Sequence, residues 1–61
     1  MKIKEYRLQK NMAQKELAEQ VNVECSAVSM WELGEAYPRV ETLVKLSQIF
    51  GCSVDELLKE G

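Results

Sequence analysis

The run Gln14–Gly34 constrains the fold of this chain more than any other segment. Its apolar residues follow two short helical patterns, over about Gln14–Val21 and about Cys25–Leu33, which meet at a tight turn around Asn22. Asparagine tolerates the left-handed backbone conformation that such a turn requires, and Gly34 can end the second helix in the same conformation. The spacing therefore predicts two helices joined by a turn of three or four residues, a helix-turn-helix.

The residues at the predicted crossing of these helices have the sizes that close packing requires. A large side chain at the crossing would push the helices apart, so the small Ala18 suits that position. Each apolar residue taken singly could be an ordinary core residue of any helical bundle, but their joint spacing favours the helix-turn-helix. The wedge-shaped space between the two helices is expected to be filled by Val21, Val23 and Val28. Beneath it, against the rest of the domain, we expect Leu17 and Trp31.

Three further segments also have helical patterns, and no strand competes with them. They cover about Ile3–Lys10, with Tyr6 directed inward, and about Val40–Phe50, followed by a short helix after Gly51. The last helix opens on Ser53-Val54-Asp55-Glu56, the pattern of a capping box in which Ser and Glu side chains each bond a first-turn amide. The sequence thus predicts an all-α, compact five-helix domain over residues 1–61, with the helix-turn-helix at helices 2 and 3.

Composition excludes most catalytic and metal-binding functions. A chain of 61 residues buries only about 60% of its unfolded surface, which leaves little room for a catalytic cleft. The chain has no histidine, so Ser–His and Cys–His pairs are impossible. Cys25 and Cys52 could pair, but free thiols are favoured, and neither has metal-binding spacing. The paired carboxylates Asp55 and Glu56 do not indicate catalysis, because acidic residues are expected in the first turn of a helix, near its positive end. We predict no enzyme, no metal and no cofactor.

Charge and hydropathy limit the location and the partners. No apolar stretch approaches the roughly 20 residues that cross a bilayer, and the first five residues lack the apolar core of a signal peptide, so we expect a cytoplasmic protein without membrane contact. The net charge of −2 argues against non-specific nucleic-acid binding, which depends on an excess of Lys and Arg. Specific binding through a few local contacts remains possible on this composition.

A set of motifs along the chain points to one family. They comprise a start with Ile3, Tyr6 and Arg7; a stretch with Met12, Ala13, Gln14, Leu17 and Ala18; Trp31-Glu32-x-Gly34; and an end with Pro38, Leu43, Leu46, Phe50, Gly51, Ser53, Asp55, Glu56, Leu57 and Leu58. Over nearly its whole length, the sequence resembles the Cro/C1-type (XRE-like) helix-turn-helix family of bacterial and phage DNA-binding regulators. The resemblance implies a lambda-repressor-like fold whose third helix, about Cys25–Leu33, enters the major groove of DNA.

The resemblance also implies roles for individual residues. An ion pair between Arg7 and Glu32 would be structural, although two solvated charges are the alternative. Gln14 would meet a phosphate oxygen and touch the following helix. The remaining phosphate contacts would be Lys15, Tyr37 and Arg39, each of which could instead be a plain solvated side chain. The base-reading positions would be Cys25, Ser26, Ser29 and Met30. Ser bonds several base edges, and Met or Cys can contact a thymine methyl, but neither has the forked donors of Arg or Gln.

The exposed positions of the motif depart from the family pattern. Between Ala13 and Pro38, one lysine stands against five glutamates, a formal charge of −4. Family members often have Lys or Arg at the positions of Met30, Leu33 and Glu35. Ala13, Glu24 and Arg39 replace the small hydroxyl residues that cap helices in the family, and a carboxylate at Glu24 would repel an approaching phosphate.

Two functional hypotheses follow from these observations. The first is a sequence-specific double-stranded DNA-binding transcriptional regulator, expected to be a repressor acting as a homodimer on a two-fold operator. Val54, Leu57 and Leu58 could form its dimer surface or belong to the core. The alternative is a protein-interaction module of the same fold with weakened DNA affinity, antitoxin-like or an anti-repressor, which the acidic surface favours.

Overall fold

Five helices in chain order make up the part of the protein that the computed structural model describes, residues 1–59. The last two positions of the predicted domain, 60 and 61, lie outside the described residues. No strand occurs between residues 1 and 59. The helices are α1 (Ile3–Gln9), α2 (Gln14–Gln20), α3 (Cys25–Leu33), α4 (Val40–Phe50) and α5 (Val54–Leu58). The all-α, five-helix prediction is therefore confirmed, although α1 and α2 each end one residue before the predicted boundary.

Left-handed backbone conformations follow four of the five helices. Gly34 and Gly51 are the C-cap residues of α3 and α4, with φ of 79° and 70°. Asn11 and Asn22 follow the C-caps of α1 and α2, with φ of 55° and 60°. Only glycine and asparagine adopt this conformation at low cost, so these residues determine where each helix stops.

The core lies where all five helices meet, and every helix contributes to it. The side chains that are fully buried come from α1, α2, α3, α4 and α5 in turn: Ile3, Leu17, Val28, Leu46 and Leu57. The Tyr6 ring is half-buried and stacks on Phe50, with ring centroids 5.7 Å apart. This contact agrees with the predicted inward direction of Tyr6.

The two ends of the described chain are tied together. The backbone N–H of Lys2 donates to the carbonyl oxygen of Leu57 at 2.9 Å, which joins the residue before α1 to α5. None of the helices within residues 1–59 is long and apolar enough to cross a membrane.

Candidate nucleic-acid interface

The crossing of α2 and α3 fixes the geometry of the candidate interface. Ala18 is 2% exposed and lies among Val21, Val28 and Trp31 in the buried core. The N–H of Val23 donates to the Ala18 carbonyl oxygen at 2.9 Å and closes the turn between the helices. Val23 itself is only partly buried, so it borders the wedge that it was predicted to fill. The small residue at the crossing lets α3 lie directly against α2.

A polar network holds α3 against α1 and α2. Arg7 Nε donates to Glu32 Oε2 at 2.6 Å, and Arg7 Nη2 lies 3.3 Å from Glu32 Oε1. Both side chains are less than one-tenth exposed. Arg7 Nη1 also donates to the carbonyl oxygen of Met12 at 2.7 Å. The two residues that the resemblance pairs are thus in bidentate contact, and the arginine also fixes the α1–α2 connection, which no side-chain pattern signals in the sequence.

Gln14 belongs to this network and retains one unused donor. Its Nε2 donates to Glu32 Oε1 at 2.9 Å, and its Oε1 faces the thiol of Cys25 at 4.0 Å. An amide nitrogen carries two hydrogens, so the bond to Glu32 leaves the second available. The side chain therefore touches the following helix and still offers an N–H beside the first residues of α2.

The predicted base-reading residues lie on the solvent-facing side of α3. Cys25, Ser26 and Met30 are exposed, and Ser29 is half-buried. Spacings of three and four residues place Ser26, Ser29, Met30 and Leu33 on one face of the helix. Leu33, which was not among the predicted contacts, is 69% exposed at the end of this face. The surface that α3 presents is neutral, and it is partly apolar.

Lys15, Tyr37 and Arg39 flank α3 and are exposed. Arg39, at the N-cap of α4, borders a concavity of about 500 Å³ together with Asn22 and Lys45. Lys15 borders another of about 400 Å³ beside Glu24 and Cys25. Within residues 1–59, no ion pair or hydrogen bond engages these three side chains.

Helix capping differs sharply between α5 and the three helices before it. Ala13, Glu24 and Arg39 occupy the N-cap positions of α2, α3 and α4 in extended conformations, and none makes a side-chain cap hydrogen bond. Ser53 caps α5 by accepting a hydrogen bond from the Glu56 N–H at 3.1 Å. The Glu56 carboxylate bonds Lys59 Nζ at 3.0 Å, so only the serine half of the predicted capping box is formed.

The ion pair changes the electrostatics of the interface. Arg7 neutralises Glu32, so the exposed charges between Ala13 and Pro38 are Lys15 against four glutamates, a formal charge of −3. Glu24 is the acidic residue at the start of α3 itself. The surface around α3 is therefore less acidic than the sequence count but remains negative.

Two further expectations concern the last helix and the two cysteines. Leu57 has no exposed surface because α5 packs it into the core, which is one of the two alternatives that the sequence left open for it. Val54 is half-buried and Leu58 is 45% exposed, which leaves both accessible. Cys25 and Cys52 are free thiols.

One titratable group outside the interface has a shifted pKa. Desolvation raises the pKa of the Tyr6 phenol above its usual 10.0, and the neighbouring Cys52 and Glu56 raise this pKa further, whereas Lys59 lowers it. This phenol packs against α4, away from the α3 surface.

Two short helices packed across one another and joined by a tight turn, as α2 and α3 are, define a helix-turn-helix. The family model described as helix-turn-helix matches residues 3–57, nearly the whole chain. The chain therefore belongs to the Cro/C1-type helix-turn-helix family, as the resemblance indicated.

Curated relatives carry names of the same kind. The chain is 44% identical over 57 residues to the HTH-type transcriptional activator BcrR of Enterococcus faecalis, covering 93% of this chain and 28% of that protein. It is 36% identical to the SPbeta prophage-derived uncharacterized HTH-type transcriptional regulator YonR of Bacillus subtilis, covering 95% and 54%. An uncharacterized HTH-type transcriptional regulator of Archaeoglobus fulgidus is 30% identical, with coverages of 92% and 79%.

The chain spans about half or less of the length of the first two of these relatives. No solved structure matches the chain significantly.

Proposed function

We propose that this chain is a sequence-specific double-stranded DNA-binding transcriptional regulator whose α3 lies in the major groove. The observation that carries the proposal is the network of Arg7, Glu32 and Gln14, which fixes α3 against two other helices. A reading helix must keep its orientation for its side chains to meet base edges in register. The exposed face with Cys25 and Met30 is then the surface directed at the bases.

Phosphate contacts would come from the residues that flank α3. The second Nε2 hydrogen of Gln14 is available to a phosphate oxygen, and the first amides of α2 lack a side-chain cap. Unpaired amides at a helix start favour an anion through direct bonds and the helix dipole. Lys15, Tyr37 and Arg39 supply further donors on exposed side chains. Such contacts position the domain without reading sequence.

The proposal includes a homodimer on a two-fold operator. A single small domain contacts too few base pairs for useful selectivity, and helix-turn-helix dimers place their half-sites about 34–36 Å apart. Leu58 and Val54 at the accessible side of α5 are the proposed dimer contacts. Sedimentation with and without operator DNA tests this part. A single domain bound per operator would contradict it.

Selection from a random duplex pool at low and moderate salt tests the function. We expect a palindromic motif, with half-sites about one helical turn apart. The same selection with Ser26→Ala/Met30→Ala should give a changed or weakened motif. Leu8→Ala is the control, since Leu8 is 55% exposed on α1 and lies outside the proposed contacts. No enrichment at low salt by folded protein would reject DNA recognition.

The direction of regulation is the finer part of the proposal, and we expect repression. The Enterococcus faecalis relative is named an activator, so the direction needs its own measurement. A reporter placed behind the selected operator should lose expression when the chain is produced. A gain in expression would reverse the direction while leaving operator binding intact.

The second candidate function is a protein-interaction module of the same fold. The formal charge of −3 on the exposed side chains between Ala13 and Pro38 favours it, because phosphate neutralisation requires cations. Failure of the duplex selection at low salt, together with an intact fold by circular dichroism, would favour this function over the first. Enrichment of a motif would argue against it.

A further inference from the structure

We infer that the domain discriminates among operators mainly through the C5-methyl group of thymine, contacted by the side chain of Met30. This inference rests on the proposed function, since it names the chemical group that α3 would read.

The exposed face of α3 lacks the groups that usually read bases. Its members are Ser26, Ser29, Met30 and Leu33. Within Cys25–Leu33 the one charged residue is Glu32, which is less than one-tenth exposed and engaged by Arg7. Forked donors such as Arg, Asn and Gln give strong discrimination of guanine or adenine, whereas a serine hydroxyl bonds to several base edges. Hydrogen bonding from this face therefore discriminates weakly.

Apolar contact is the selective interaction left to this surface. Among the bases, only thymine presents a methyl group in the major groove. Burying one methyl group against an apolar side chain, out of contact with water, corresponds to about a fourfold gain in affinity. Two symmetric half-sites with such contacts would multiply this selectivity.

Met30 is the residue on this face best placed for a methyl contact. It is 40% exposed, so its thioether side chain is accessible to a molecule that approaches α3. Its unbranched chain and polarizable sulfur adapt to irregular apolar surfaces. It lies one helical turn after Ser26, on the same face of α3. Ser26 is near the N-terminal end of α3, and in helix-turn-helix proteins this end of the recognition helix contacts base edges. Leu33 lies at the opposite end of the helix.

Deoxyuridine substitution tests the inference directly, because it removes the thymine methyl and leaves the hydrogen-bonding edge unchanged. Each thymine of the selected duplex would be replaced in turn, and the dissociation constant measured. We expect at least one position per half-site at which the wild-type protein loses three- to fivefold in affinity. With Met30→Ala, the same replacement should change affinity by less than about 1.5-fold, since the contact is already absent.

Two matched variants separate this contact from general effects. Leu8→Ala removes an exposed apolar side chain on α1, and Val44→Ala removes one on α4, both outside the proposed contacts. Both should keep the full penalty for deoxyuridine. A thermal melt of each variant checks that the fold is intact.

The outcomes distinguish this inference from the proposed function. If a motif is enriched but no deoxyuridine lowers affinity, or Met30→Ala retains the full penalty, methyl recognition by Met30 is overturned and DNA recognition stands. If no duplex is enriched, the proposed function and this inference are both overturned. If the penalty is present in the wild type and absent in Met30→Ala, the inference holds.

Discussion

The buried side of α3 carries Val28, Trp31 and Glu32, whereas its exposed side carries Ser26 and Met30. Each buried residue has a defined partner in the fold and matches the family pattern. The exposed residues are restrained by little in the isolated domain, and the positions of Met30 and Leu33 depart from the family pattern. Packing therefore preserves the geometry of the motif, while the outer surface can change with the ligand. The residues that hold the fold and the residues proposed to set specificity are therefore on opposite sides of one nine-residue helix.

The largest effect should come from the buried side. Glu32→Ala removes the carboxylate that Arg7 and Gln14 bond, and it leaves a buried guanidinium without its charge partner. We expect the free energy of unfolding to fall by about 3–5 kcal/mol, measured by urea denaturation. That loss is severe, because native proteins are in general stable by only about 5–15 kcal/mol. Glu35→Ala, an exposed glutamate three residues on, should change stability by less than about 0.5 kcal/mol. A loss below 1 kcal/mol for Glu32→Ala would show that the network does not hold α3.

Overpacking the helix crossing should have the next largest effect. Ala18→Leu adds three carbons at a position that is 2% exposed between α2 and α3. We expect a loss of about 1–3 kcal/mol in the free energy of unfolding, because the helices must separate. Gln20→Leu, at an exposed position of α2, provides the control. Equal effects from both variants would mean that the crossing tolerates a larger residue.

Restoring a cap to α3 should raise stability by a smaller amount. Glu24 is the N-cap of α3 and makes no cap hydrogen bond. Glu24→Ser should therefore raise the free energy of unfolding by about 0.5–2 kcal/mol, measured by thermal denaturation. Glu24→Gln removes the charge without adding a good cap and should give little or none of this gain. Both variants should strengthen DNA binding if the Glu24 carboxylate repels phosphate. An equal gain in stability from Ser and Gln would assign the effect to charge.

A cation on the exposed side should alter binding but not folding. Leu33→Lys adds a positive charge at a position that is 69% exposed. If a phosphate lies there, the slope of log affinity against log salt should steepen by about 0.9, and stability should change by less than about 0.5 kcal/mol. Leu8→Lys on α1 should leave the slope unchanged. A slope unaffected by both lysines would place Leu33 outside the interface.

The smallest effect on stability should come from the titration of the Tyr6 phenol, which lies away from both sides of α3. Desolvation of the Tyr6 phenol raises its pKa above 10.0 in the folded protein, which favours the neutral form. Its contribution to stability is therefore complete below pH 10 and is lost as pH rises through the folded pKa. Absorbance titration of Tyr37→Phe, in which Tyr6 is the one remaining tyrosine, should give a midpoint above 10.0. A midpoint at or below that value would contradict the effect of burial.

The sequence predicted the helices because their ends depend on local chemistry. Gly34, Gly51, Asn11 and Asn22 adopt the positive φ that their residue types allow, and the bounds of α3 and α4 agree with the prediction. For Leu57, by contrast, the sequence left the core and a dimer surface as open alternatives, and the structure has it in the core. On a helix of five residues, periodicity does not determine which leucine faces the core, since tertiary packing decides it.

The candidate site was less predictable than the helices. The resemblance indicated which positions are expected to face DNA. Because DNA is not part of the chain, contacts to it leave no packing pattern in the sequence. The bond from Arg7 to the Met12 carbonyl could not be predicted either, because a backbone acceptor has no residue type. The role of Met30 likewise depends on an external surface, and the binding experiments above are its test.

The hydrogen bond between the Lys2 N–H and the Leu57 carbonyl oxygen joins the start of the described chain to its last helix. The first helix cannot leave the core without breaking this bond to α5, and the polar network at Arg7 connects that first helix to α3. Displacement of α1 would therefore disturb α5 and α3 together. In a domain this small, a substitution that weakens the seat of α1 thus lies one side-chain contact away from the helix proposed to meet DNA.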